Sequence, residues 1–223
     1  MKKIALLLAV AGVAAAGSVA FGAGMFRASD DPFRHPATRA AHVLPQLKTD
    51  MAAFRGPATA LDRRVRKSSA VRASSRAIPF GANAALARAG ATLASGDVVA
   101  LVPTRDGLCL GTARIGITGC SGLATVLGAA SIGSIICARG MEKDALIVYG
   151  AVPDSVGGAS VTRADGSAVN ARLVRNSFVL ETTKHASRPV AVRLSIGDAA
   201  ITRDALVPAD ASRSECEGEG RRR

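Results

Sequence analysis

Residues 158–182, GASVTRADGSAVNARLVRNSFVLET, restrict the fold more than any other stretch. Asp165-Gly166 offers a two-residue hairpin turn that accepts positive φ. Val161 on one arm and Val169, Ala171 and Leu173 on the other alternate with polar residues, the period of a half-buried strand. Asn176 suits a second tight turn before SFVLE. The same grammar runs from Ser95 onward, with VVALVP (98–103) and LCLGTAR (108–114) joined across TRDG. SIICA (134–138) and DALIVYGAV (144–152) are joined across RGMEK, and PVAVRLSI (189–196) and AAITR (199–203) follow. Such runs, at about ten-residue spacing, predict a mainly β fold, a small antiparallel β-sandwich or barrel-like domain. SGLATVLGAAS (121–131) reads as one short helix between strands. The apolar residues are mostly Ala, Val, Leu and Ile with no Trp, so the core must be built from small and branched side chains.

The chain's first segment has a different character. Lys2 and Lys3 precede an uncharged run from Ile4 to Phe26, which as a helix spans about 34 Å against a hydrocarbon core of about 30 Å. Residues 1–26 are therefore expected to be a signal anchor, with membrane contact through residues 4–26. The alternative is a signal peptide cleaved near Ser18-Val19-Ala20. Both send the remainder out of the cytoplasm, to the outer side of the membrane or into the medium.

Charge separates the next segment from the rest. Residues 27–88 hold 12 basic and 4 acidic residues, and residues 89–223 hold 15 and 13. The net charge of +12 is thus not a property of the whole surface, as a nucleic-acid-binding fold would require. Leu44, Leu47, Met51, Phe54, Ala58, Leu61 and Val65 recur at helical spacing, and Gly56-Pro57 divides the stripe into helices near 45–55 and 57–68. RRVRKSSAVRASSR (63–76) reads as a solvated basic linker. Its Arg63, Arg64, Arg66, Lys67, Arg72 and Arg76 are candidates for contact with an anionic lipid or envelope polymer. Nucleic acid is a poor fit, since the run has no aromatic platform for bases. The expected layout is residues 1–26 as the hydrophobic element, 27–94 as a partly helical basic arm, 95–207 as the β-rich domain and 208–223 as a disordered tail.

FRGPATALDRR (54–64), DGLCL (106–110) and residues 150–181 resemble exported proteins of GC-rich bacteria that join a hydrophobic segment and an arm to a small β-rich domain. The resemblance implies that layout and no activity.

Sites for chemistry are sparse. His35, His42 and His185 lie in loops or the arm, and Ser131 lacks the setting of a nucleophile elbow. Gly116, Gly119 and Gly122 do not follow a phosphate-loop spacing and read as a flexible loop. The four cysteines have neither paired zinc spacing nor a neighbouring histidine. No catalytic residue, metal or cofactor is expected. Outside the cytosol a crosslink between Cys109, in a strand, and Cys120, at the end of the Gly-rich loop, is the expected use, with Cys137 as competing partner. Cys216 lies in the tail. The function expected is that of an exported cell-envelope protein with a non-catalytic structural or binding β-domain and no identified protein partner. The alternative is an exported enzyme using Cys137 beside Arg139.

Overall fold

The computed structural model describes residues 39–129, 131–136, 146–182 and 189–204. The apolar run, His35, Cys137, His185 and the tail with Cys216 lie outside the described residues.

The fold is mainly β, with three four-stranded sheets in which every pairing is antiparallel. The first is a meander of β1 (Arg88–Thr92), β2 (Val98–Pro103), β3 (Gly107–Thr112) and β4 (Gly116–Gly122). The second orders β5 (Ser131–Ile136), β6 (Leu146–Ala151), β10 (Ser177–Thr182) and β9 (Arg172–Val174) side by side. The third runs β12 (Ala199–Asp204), β11 (Pro189–Ile196), β7 (Val156–Arg163) and β8 (Ala168–Asn170). Helix α4 (Leu123–Ala129) leads out of the first sheet and buries Val126.

Strand alternation explains how the sheets stack, because successive side chains point to opposite faces. Val99, Leu101, Leu108 and Leu110 from the first sheet meet Ile147, Tyr149, Ala151 and Val179 from the second in one core. The second sheet's other face sends Val148, Phe178 and Leu180 into another core, against Val156, Ala159, Val161, Val192 and Leu194 of the third. Sheet two is thus apolar on both sides. The far face of the first sheet, with Ala89, Val98, Ala100, Val102 and Cys109, is covered by helices α2 (Ala60–Lys67) and α3 (Ser69–Ala77) through Val65 and Val71.

Ala89 and Ala91 sit two apart yet face different cores. A register shift between Ala89 and Thr92 accounts for it: one extra residue in β1 turns the strand over. Gly90 lies in this bulge, where a Cβ would come within 2.4 Å of Ser177 Oγ. That hydroxyl accepts the amide proton of Ala91.

The segment read as an arm is built into this body. Helix α1 (Pro45–Asp50) and the 3-10 turn Ala52–Phe54 bury Leu47, Met51 and Phe54 in the core between the first two sheets. The first strand starts at Arg88, ahead of the boundary expected near residue 95. The described residues, from Arg39 onward, belong to a single compact unit.

Two local expectations are corrected. Residues 69–77 are helical rather than a linker, since Ser68 ends α2 and caps α3 by accepting from Val71 N. Its serines donate to their own helix, Ser74 to Ala70 O and Ser75 to Val71 O, so this polar helix can lie on a sheet. The glycine-rich residues 116–122 form strand β4, paired along β3 from Gly107–Gly122 to Thr112–Gly116. Here glycine serves close approach, because a Cβ on Gly111 would meet Gly116 O at 1.9 Å.

Candidate functional site

The β3–β4 hairpin, with the two helices lying beside it, brings together most of the residues singled out in the sequence. Cys109 and Cys120 are directly opposed in the ladder and joined by a disulfide, with 3.9 Å between their α-carbons. The crosslink is strand to strand, not strand to loop. Cys109 is fully buried in the core beneath the helices, and Cys120 packs at its margin. With both sulfurs bonded, neither is a thiol nucleophile.

Helices α2 and α3 lay their buried residues on the same face of the first sheet, so their solvent sides share one outward direction. Arg63, Arg64 and Lys67 on α2 and Arg72 and Arg76 on α3 are exposed. Arg63 donates to Ala58 O, closing its own helix entrance. Arg66 differs from the others. It is half-buried and donates from Nε to Ala87 O, so it fastens α2 to the sheet. Burial, together with repulsion from Arg88, lowers its pKa from the ordinary guanidinium value.

Between residues 39 and 129 the acids are Asp50, Asp62, Asp97 and Asp106. Asp62 and Asp97 are buried and cannot neutralise the helical surface from outside. Asp62 is a centre that sequence reasoning missed. It closes a capping box at the start of α2, where Thr59 N donates to its carboxylate and its own amide donates to Thr59 Oγ1. The same carboxylate accepts from Ala89 N at 2.8 Å, Arg88 Nη1 at 3.2 Å and Arg175 Nη2 at 3.2 Å. Burial works to raise its pKa. The hydrogen bonds from Ala89, Thr59 and Arg175 outweigh that and hold the carboxyl well below the usual range. A carboxylate so ionised and so fully engaged offers no proton to transfer. The Thr59-x-x-Asp62 spacing was the available sign.

A second polar knot ties the 3-10 turn to the loop between β6 and β7 and to the turn between β9 and β10. Asn176 Oδ1 accepts from Ala53 N, and Asp154 accepts from Ala52 N, Asn176 Nδ2 and Arg55. Burial opposes the Asp154 anion, yet the bonds from Ala52, Asn176 and Arg55 lower its pKa.

The single tyrosine, Tyr149, is buried between the first two sheets and its hydroxyl bonds Thr118 of β4. His42 is exposed. Among the described residues no group of three or more His, Cys, Asp or Glu is placed to hold a metal ion, and no helix is long and apolar enough to cross a membrane. The arrangement thus offers a crosslinked hairpin, two structural ion clusters and a basic helical surface. No family model, curated protein or solved structure matches the chain.

Proposed function

We propose that the chain is an exported cell-envelope protein, held at the outer side of the cytoplasmic membrane by residues 4–26 or released by cleavage. Its stacked sheets, read as a β-sandwich, form a non-catalytic body, and the helices on its outer side present a basic surface to an anionic partner. The Cys109–Cys120 bond is the observation that carries this reading. Disulfides persist in oxidising compartments, whereas reducing cytosol keeps thiols free, so the bond favours export. The Lys2-Lys3 start and the apolar run after it supply the route out.

A reporter that is active only outside the cytoplasm, fused after Arg213, tests the location. Activity is expected there, together with a peptide linking Cys109 to Cys120 when the protein is taken from cells without reduction. A silent reporter with both cysteines alkylated in intact cells would withdraw the reading.

A further inference from the structure

We propose, resting on that reading, that the surface met by α2 and α3 is the anionic phospholipid bilayer itself. Phe80 and Ile115 enter its interface, and Arg64, Lys67, Arg72 and Arg76 lie over its headgroups.

Charge is the first ground. Arg64, Lys67, Arg72 and Arg76 are exposed on the helices' shared outward side, and the one acid on either helix, Asp62, is turned inward and buried. Asp106, in the turn between β2 and β3, is the exposed acid at the neighbouring edge. Basic clusters of this kind bind anionic leaflets by attraction to the surface potential.

Apolar exposure is the second. Phe80 and Ile115, each 46% exposed, are the exposed large hydrophobic residues among those described. Both border α3. Phe80 lies three residues beyond its last residue, Ala77, after Ile78 and Pro79. Ile115 sits in the β3–β4 turn, which is fixed to the helix by bonds from Ser68 Oγ to Ala113 O and from Ile117 N to Ser74 Oγ. Gly116 lies against Ala70 O, so close that a Cβ would stand 2.9 Å from it. The nine residues of α3 span about 13 Å, so a pair of apolar side chains brackets a short positive strip. A soluble polyanion can use the charges but has no place for Phe80 and Ile115. The headgroup and acyl boundary accepts both at once.

The path of the chain permits this contact. Ala40 is pinned where its amide donates to Gly81 O and its carbonyl accepts from Asn83 Nδ2. The polypeptide arriving from residue 26 therefore joins the folded body next to Phe80. The intervening residues reach at most about 50 Å when fully extended. A tether of that reach leaves the choice of face to the charges and to the two apolar side chains.

The chain has no tryptophan, so F80W and I115W each give a single reporter. The full-length protein is incorporated into vesicles of equal parts phosphatidylglycerol and phosphatidylcholine with brominated acyl chains. Both indoles are expected to be blue-shifted and quenched. Quenching should fall several-fold in pure phosphatidylcholine, in molar salt, and in R64E/K67E/R72E/R76E, while the protein still floats with the vesicles. Retention of the disulfide and of the far-ultraviolet spectrum checks that the charge-reversed protein is folded, and R72Q/R76Q is the milder variant should it not be. Unquenched indoles in a protein that floats would overturn the bilayer assignment and leave membrane anchoring intact. Quenching equal in neutral and anionic vesicles would overturn headgroup recognition. Indoles that shift only when soluble poly(glycerol phosphate) is added would assign the face to a polymer instead. Protein that does not float would overturn both this inference and the anchoring it rests on.

Discussion

Asp62 joins residues that the sequence keeps far apart, with Arg88 26 positions away and Arg175 113 positions away. Removing a buried ion-pair partner leaves uncompensated charge behind, and such changes cost about 3–5 kcal/mol. Asp62→Asn is expected to lower stability by at least about 2 kcal/mol at neutral pH, measured by urea denaturation. The pH dependence has a definite sign. The folded-state pKa is depressed, so the stabilisation is present above the unfolded value of about 4 and is lost as pH falls. The gap between parent and variant should therefore narrow below about pH 4; a gap that widens there would contradict the role assigned to Asp62. Tyr149 gives the opposite case. Burial first of all pushes its phenol up to about 12, against the Thr118 bond, which lowers it. It is the only tyrosine, so an absorbance titration reads it without interference. The native protein should ionise near 12 and the urea-unfolded chain near 10. Stability from this group is whole below pH 10 and disappears as pH rises through 12. A native inflection near 10 would mean that the ring is not sealed between the sheets.

The β3–β4 hairpin contains glycines of two kinds. Gly111 faces the backbone of Gly116 at a distance that admits no Cβ, whereas Gly119 has nothing within 4 Å of the corresponding position. Gly111→Ala is expected to destabilise by about 1–3 kcal/mol or more and Gly119→Ala to change little, with thermal melts of the oxidised protein as the measure. Equal effects would show that the hairpin is not drawn together as described. Elements whose periodicity is strong were legible beforehand. PVAVRLSI coincides with β11, and the turns at Asp165-Gly166 and Arg175-Asn176 occur, with positive φ at Gly166, Arg175 and Asn176. The stripe through Leu47, Met51, Phe54 and Val65 is buried as its spacing implied. β1, β4 and α3 were not legible. RAGAT and GITGCSG have little strand propensity and are strands because a partner supplies the ladder. SAVRASSRA is a helix because a sheet lies under Val71 and its serines bond inward. Among candidate residues, the Cys109–Cys120 pairing and the exposure of Arg64, Lys67, Arg72 and Arg76 could be anticipated. The inward turn of Arg66 and the Asp62 cluster depend on contacts across the fold, which local pattern does not encode.

At the scale of the molecule, the helices and β1 are part of the cores rather than a tether to them. A chain beginning at residue 95 loses Leu47, Met51, Phe54, Val65, Val71, Ala89 and Ala91, all buried. Both faces of the first sheet are then uncovered in part. That shortened chain is expected to bind hydrophobic dyes and melt without a cooperative transition, and one beginning at residue 39 to fold. Trypsin should cut the folded protein slowly between Arg63 and Arg88, despite the many arginines there. A cooperative melt from residue 95 onward would restore the arm as a separate element. The strand pair β8 and β9 has a different bearing on the whole. Only Ala171 separates them, and its amide donates to Ala159 O. One short ribbon is thus hydrogen-bonded into the third sheet through β7 and into the second through β10. Pulled or heated, neither sheet can slip past the other without tearing this ribbon from one of them. The two sheets should therefore yield as a single mechanical unit, with amide protons in β7 and β10 exchanging in step.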